Sequence, residues 1–503
     1  MEHYTGFKKQ APRPVASSQY DYLFIALVAG FLGFIVIQEV HIPKFMIVGM
    51  ALVAGVYLLV KGVSKPEMVT YALVAYMPFS KELAGDFGGL AMAFNFTNLF
   101  LGFLLWAWIS GKYQMQEPKW ISTPLNLPIF LFLLLGFVSI ARANYYGASH
   151  IFAAFIEYKR WITPILLYFF VLNTVKEREI VKNVAIIIMI TITIVALMAI
   201  WDYIDQGACG SLEKCRIGGI TDQPNMLAAF FNYYMFLPFG FFLNNIRRPN
   251  YWGALIPFLL CFRGIMVTFS RGGYLAFAIG LAAITFFKSR ILFILLLIFA
   301  YFAFLNPDLL PAGIRYRMGQ TFKTKSNYSD QMMNTENLES SSQRRVKVWK
   351  AGIEMVKDHP MFGIGYGLFP FMIKGYWDGG KMDSHNTYLI IAAEMGIPAL
   401  LVFLLIIGMM FWQALRLYQS TKDPFAKSFA LGWLGGIFAM LISNMFGSRL
   451  DAQEVSSYLW IIAALIVRFR RLDQQEKKQG TQEDQIPAGE AKHIPWFERK
   501  GAY

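Results

Sequence analysis

The sequence predicts an all-α, polytopic integral membrane protein with about 12 to 14 transmembrane helices and one long periplasmic loop that contains short helices. Three observations carry that expectation. Of the 503 residues, 56% are hydrophobic, 17% aromatic and only 16% charged, too few polar groups to cover a water-exposed surface. Apolar runs repeatedly reach the roughly 20 residues that a bilayer-spanning helix needs. A polar stretch from Asn306 to His385 then separates the hydrophobic first half from a second hydrophobic block. The net charge of +14 comes with no aromatic-basic RNA signature, so it is assigned to topology and to anionic membrane lipids as partners, and nucleic acid is not expected.

In chain order, residues 1–20 are polar, with Lys8, Lys9 and Arg13, and no small-residue cleavage site follows the first apolar run. They are expected to form a cytoplasmic tail leading into an uncleaved span. The first transmembrane block, 21–305, holds apolar segments near 21–38, 45–60, 67–79, 92–110, 124–141, 161–173, 183–201, 226–243, 252–268, 273–287 and 291–305, of which 67–79 and 161–173 are short. The second block, 386–468, holds 386–412, 428–446 and 455–467. If the N-terminus is inside, the inner links carry two or three cations each: Lys61/Lys65, Lys112/Lys119, Lys176/Arg178/Lys182, Arg247/Arg248, Lys288/Arg290 and Arg416/Lys422/Lys427. The four shortest outer links carry one apiece, Lys44, Lys81, Arg271 and Arg449. The positive-inside rule therefore puts both termini inside, in the cytoplasm, and the 306–385 loop outside. The tail 469–503, charged and rich in Gln with Arg470, Arg471, Lys477 and Lys478, is expected to be disordered beyond the membrane edge.

Within the loop, Ser340 to His359 predicts a helix. Ser340, Ser341 and Ser342 offer N-cap oxygens, Val346, Trp349, Ile353 and Val356 recur at helical spacing, and Asp358-His359-Pro360 stops it. Arg344 and Arg345 are read into its first turn, where free backbone N–H groups attract anions; a solvated basic face is the alternative. Cys209 and Cys215, with five residues between them in the outer connection 202–225, form a candidate disulfide, reduced thiols being the alternative, and Cys261 inside a span is assigned to packing.

Polar residues also gather at the outer membrane surface. Arg263 lies inside the ninth apolar run, where an unpaired charge costs several kcal/mol, so it should face a partner or a wet cavity. Arg271 follows in Thr268-Phe269-Ser270-Arg271-Gly272-Gly273, where the glycines admit a backbone or ligand. Upstream, Asp222 and Asn225 precede another span and are equally candidates for its N-cap. Arg142, Lys159, Arg160 and Arg216 are placed outside too, which runs against topology; snorkelling to headgroups is the plain alternative for Arg142, Lys159 and Arg216.

Ser270-Arg271-Gly272-Gly273, Asp222-Gln223-Pro224-Asn225, Arg345-Val346-Lys347-Val348-Trp349, His359-Pro360-Met361-Phe362-Gly363-Ile364-Gly365, Ser384-His385-Asn386-Thr387-Tyr388-Leu389 and Glu394-Met395-Gly396 together resemble the bacterial O-antigen ligase and O-antigen polymerase superfamily. The resemblance lies in the order of these motifs over about residues 216 to 400 with the long loop in place. It implies an inner-membrane glycosyltransferase, without metal or cofactor, that passes a glycan from undecaprenyl diphosphate to an acceptor hydroxyl with inversion. The ligase acceptor is lipid A core; a polymerase extends another lipid-linked glycan. This chain departs from the commonest ligase layout by about two more apparent spans and by a polar insert from Arg315 to Glu339, which leaves the acceptor open.

The chemistry points the same way independently. Displacing a lipid diphosphate requires its charge to be stabilised by a divalent cation or by fixed arginines, and outer loops here offer arginines but no Asp-x-Asp. Candidates for the diphosphate or glycan are Arg271, Arg263, Arg344, Arg345 and Arg216, with Asp222, Asn225 and Asn386. The acceptor hydroxyl needs a base poised near neutral pH, and His385, flanked by Asp383, Ser384 and Asn386, fits that role, with a plain boundary histidine as the alternative. No carboxylate pair is read as comparably placed. Glu394 is read onto the helix of His385 as a partner for a buried arginine. An anion or polysaccharide transporter is the competing class; it predicts Gly/Pro-broken helices and an internal repeat, neither of which is read in the sequence. A structural scaffold would need neither His385 nor Arg271.

Overall fold

The computed structural model describes residues 67–81, 96–109, 120–143, 148–207, 209, 214–319, 340–447 and 449–484. The expected tail 1–20, the spans 21–38 and 45–60, Lys44, the links Lys61/Lys65 and Lys112/Lys119, most of the insert (320–339) and residues 485–503 lie outside the described residues, as do the side chains of Ser340, Ser341 and Ser342.

The described residues form helices and no strands: α1 Glu67–Tyr76, α2 Phe96–Ile109, α3 Asn126–Ala143, α4 Ala148–Thr174, α5 Arg178–Asp205, α6 Pro224–Tyr234, α7 Phe236–Asn244, α8 Leu255–Thr268, α9 Arg271–Lys288, α10 Arg290–Leu305, α11 Ala312–Gly319, α12 Ser340–Asp358, α13 Phe369–Met372, α14 Thr387–Met395, α15 Ile397–Ser420, α16 Pro424–Met445 and α17 Gln453–Asp484. Among them, six stretches are long and apolar enough to cross a membrane: Asn126–Ala143, Arg178–Asp205, Pro224–Asn244, Pro249–Thr268, Ile397–Ser420 and Pro424–Met445. The protein is thus an all-α, polytopic membrane protein, as its composition requires.

Helix α16 is the axis of the bundle, packed by α9, α7, α15 and α6 and among the most buried of the spans. Its 22 residues cover about 33 Å, so its two ends define two faces. At the Asp423 end, Arg178 holds Asp423 at 2.9 Å and Asp473 at 2.7 Å, and Lys288 donates to Asn244 at 3.1 Å. The cation-rich links around Arg178, Arg247, Lys288 and Lys422 therefore gather on one face. At the other end, Asn444 meets Thr387 of α14 and Tyr233 of α6. Every candidate site residue in α9, α12 and α14 lies toward this second face.

Three expectations change. The apolar run 386–412 is two helices, α14 and α15, parted at Gly396, whose φ of 90° only glycine adopts easily. Helix α15 alone has 24 residues, enough for the roughly 30 Å hydrocarbon layer, so the break falls at the membrane edge rather than at mid-membrane. Run 226–243 is also interrupted, at Met235, three residues before Pro238; the proline lacks the N–H that would continue the ladder. Broken helices are thus present where the hydropathy pattern showed none. The tail is not disordered throughout: α17 runs on as helix through Arg470, Arg471, Lys477 and Lys478 to Asp484.

Candidate active site

The site is built on the entrance to α14. Asn386 is its N-cap: the side-chain oxygen accepts the N–H groups of Tyr388 at 3.0 Å and Leu389 at 3.2 Å, two donors that a helix start leaves unpaired. His385, just before the cap, has a φ of 49°, a left-handed conformation costing about 1–3 kcal/mol in a non-glycine residue. Its neighbour holds it there. Ser384 is fully buried, its hydroxyl accepts the Asn386 N–H at 3.1 Å, and its carbonyl accepts the indole N–H of Trp349 at 2.8 Å. On the other side Thr387 donates to Asn444 at 2.7 Å, and Asn444 donates to the Tyr233 hydroxyl at 2.6 Å. His385 itself stays about half open to solvent, with Nδ1 3.2 Å from Oδ2 of Asp383. That carboxylate favours a proton on Nδ1 and leaves Nε2 as the free acceptor.

A group of arginines lies alongside. Arg216 donates from Nε to the Thr268 carbonyl at 3.0 Å and from Nη2 to Asn225 Oδ1 at 2.9 Å. Asn225 Oδ1 also accepts the Ser270 hydroxyl at 2.8 Å, which ties the turn before Arg271 to the start of α6. Arg449 bonds the Asn225 carbonyl with Nη1 and the Phe446 carbonyl, at 2.9 Å, with Nη2. Burial lowers the Arg449 guanidinium to about 10; Tyr233 opposes this, and the charges of Arg345 and Arg216 add to it. Arg345 sits one helical turn before Trp349, and Trp349 packs on Phe446 with ring centroids 6.3 Å apart. Gly272 lies against Phe446 from the opposite side. Arg317 closes the group, 6% exposed and donating to the Phe269 carbonyl at 3.0 Å. Several fixed cations thus share one region with His385, an arrangement suited to holding an anion.

Next to it opens a cleft of about 310 Å³ between α4, the 366–371 turn, α14 and the 449–451 segment, with Glu157, Arg160, Tyr366, Lys381, Asp383 and Asp451 among its walls. Burial raises the Asp451 carboxyl to about 6, with Asp383 adding to the rise and Arg160 opposing it. Two expectations fail here. Carboxylates do gather around Asp383, the partner of His385, because α4 and the 449–451 segment, distant in sequence, converge on the cleft that Asp383 lines. Among the described residues no arginine bonds Glu394; it is 5% exposed and accepts the Phe369 N–H at 3.0 Å, part of the docking of 359–369 on α14. In that docking Gly363, at φ 65°, has no room for a Cβ against the Glu394 carbonyl.

The remaining candidates divide. Arg345, Arg216, Asn225 and His385 are brought together, and Arg271 follows Ser270, whose hydroxyl bonds Asn225. Arg344, in the second turn of α12, is exposed, and neither it nor Arg345 falls in the first turn as expected. Arg263 is exposed on α8, its guanidinium 5.3 Å from the Tyr203 ring centroid, and its charge reaches Tyr274 as those of Arg317 and Arg216 do. Asp222 pairs with Lys81 at 2.8 Å on the surface, and neither it nor Asn225 caps α6, whose N-cap is Gln223. The Asn386 side-chain oxygen is occupied by its cap. Cys209 and Cys215 are joined as a disulfide with Cα atoms 5.4 Å apart, and Cys261 is buried in packing. Arg449 and Arg317 were missed as site residues; the one signal for Arg449 was an arginine on the outer side, counted only as topology. Among the described residues no group of three or more His, Cys, Asp or Glu side chains is arranged to hold a metal ion.

No curated protein matches the chain. Residues 256–404, from α8 through the loop into α15, match the family model described as O-antigen ligase, which supports the resemblance to the O-antigen ligase and polymerase superfamily.

Proposed function

We propose that the protein transfers a glycan from undecaprenyl diphosphate to an acceptor hydroxyl at the periplasmic face, with inversion and without a metal ion, as an O-antigen ligase. The family match supports a membrane glycosyltransferase of the ligase or polymerase type acting on a lipid-linked glycan and an acceptor. The observation that carries the finer reading is the joining of His385 to the arginine group through Trp349, which bonds Ser384 and stands one turn from Arg345. In this reading Nε2 of His385 takes the proton of the acceptor hydroxyl as its oxygen attacks the anomeric carbon. The carbon–phosphate oxygen bond breaks on the opposite face, and Arg271, Arg345, Arg216 and Arg449 stabilise the charge that grows on the diphosphate.

Purified protein given a lipid-linked glycan and an acceptor should release undecaprenyl diphosphate. Movement of an anion across liposomes without such release would replace the reading with transport. A deletion strain separates ligase from polymerase. It should still make lipid-linked polymer but leave it unattached, whereas loss of chain length itself would favour polymerase.

A further inference from the structure

We propose that the cleft between α4, α14 and the 449–451 segment is a binding subsite for an uncharged pyranose ring; its assignment to one of the two transfer substrates rests on the glycan-transfer reading above. The first observation is the cavity, whose walls carry acids and bases in alternation, Glu157 and Arg160 on α4, Lys381 and Asp383 on the loop. No single sign of charge dominates it, unlike the arginine group. The second is Asp451. Asp451 lines the cavity, and its Oδ1 is buried with no hydrogen-bond partner among the described residues.

A carboxyl at the wall of a cleft pairs with O–H donors, and a sugar ring brings several; a diphosphate diester brings none. Phe371, 47% exposed at the edge of the cleft with Lys381 Nζ 3.9 Å from its ring centroid, adds an apolar surface for the C–H face of a ring. The polar rim then meets the hydroxyls. Asp383 is both a wall of the cleft and the partner of His385 Nδ1, so a sugar held here lies beside the proposed base.

The test is saturation-transfer NMR on the purified full chain with the methyl glycosides of glucose, galactose and N-acetylglucosamine. At least one should receive saturation, Asp451→Asn should weaken its binding about fivefold, as expected for one hydrogen bond, and Phe371→Ala should weaken it as well. Inorganic phosphate should not compete. Rates of undecaprenyl diphosphate release from the same variants then identify the source: a raised KM for acceptor assigns the ring to the acceptor, and a raised KM for donor assigns it to the donor glycan. The proposal is overturned if no glycoside receives saturation, if both variants bind like the wild type, or if phosphate displaces the sugar. Binding needs no turnover, so its failure leaves the transfer reading standing. A wild type that binds glycoside but releases no undecaprenyl diphosphate removes the transfer reading and keeps the subsite.

Discussion

Nδ1 of His385 lies 3.2 Å from Oδ2 of Asp383, with the two side chains 41% and 37% exposed. A surface contact this open adds little to stability, typically about 0–1 kcal/mol even for a full ion pair. Its consequence is orientation: with Nδ1 directed at a carboxylate, Nε2 keeps its lone pair for an incoming hydroxyl. Asp383→Asn should therefore melt within about 1 kcal/mol of the wild type while turnover falls on the order of 10²-fold. Initial rates of undecaprenyl diphosphate release beside a thermal melt would decide it, and unchanged turnover would leave Asp383 no role in orienting the base.

Two arginines that look alike in the sequence should behave differently. Arg271 opens α9 next to Ser270, whose hydroxyl bonds Asn225 within the arginine group, whereas Arg263 stands exposed over Tyr203. Lysine keeps the charge but not the planar fork that holds two phosphate oxygens, so Arg271→Lys should lower turnover by roughly tenfold or more, the loss of about one charge-assisted hydrogen bond. Arg263→Lys keeps a cation over the ring and should stay close to wild type. Equal losses in both variants would mean that Arg263 reaches the donor as well.

The difference between those arginines marks how far the sequence could be read. Helix Ser340–Asp358 was legible because Val346, Trp349, Ile353 and Val356 repeat at its period, and the entrance to α14 because an apolar run begins at 386; the cap made by Asn386 was not read. Interruptions at Gly396 and Met235 were not, since hydropathy averages over a window and is blind to φ and to a missing N–H. Arg449 and Arg317 acquire meaning only through the Asn225 and Phe269 carbonyls, which the fold brings from far along the chain. The carboxylates of the cleft were hidden for the same reason: Glu157 and Asp451 have no common motif. Local rules reached the apolar faces and the starts of spans, and tertiary convergence supplied the rest.

Asp451 gives the site a signature in acid. Burial raises its carboxyl from 3.8 to about 6 in the folded chain, so the fold prefers the protonated form. The stability this contributes is complete below the unfolded value and is lost as pH rises through about 6. Melting of the wild type relative to Asp451→Asn should therefore decline between those two values and run parallel above them. The decline should reach at most about 3 kcal/mol, since each tenfold difference in proton affinity is worth roughly 1.4 kcal/mol. At neutral pH the Asn variant should be at least as stable as the wild type, so any loss of glycoside binding in it is not unfolding. A melting difference that does not vary with pH would show that Asp451 is ionised as readily in the fold as in the unfolded chain.

The last prediction concerns His385 itself. Its left-handed backbone is held from both sides, by Trp349 on Ser384 and by Thr387 on Asn444, so the side chain can be changed without loosening the entrance to α14. His385→Ala should leave the melt near that of the wild type, leave donor affinity nearly intact because the diphosphate is assigned to Arg271, Arg345, Arg216 and Arg449, and lower transfer by roughly 10²–10⁴-fold, the usual contribution of a general base. Glutamine separates proton abstraction from orientation, since its amide bonds a hydroxyl but takes no proton near neutral pH. His385→Gln should be almost as slow as His385→Ala if the imidazole accepts the proton, and partly active if it only aligns the acceptor. Transfer by His385→Ala near the wild-type rate, in membranes carrying equal amounts of protein, would remove His385 from the chemistry and leave the carboxylates of the neighbouring cleft, Asp383 and Asp451, as the bases to test next.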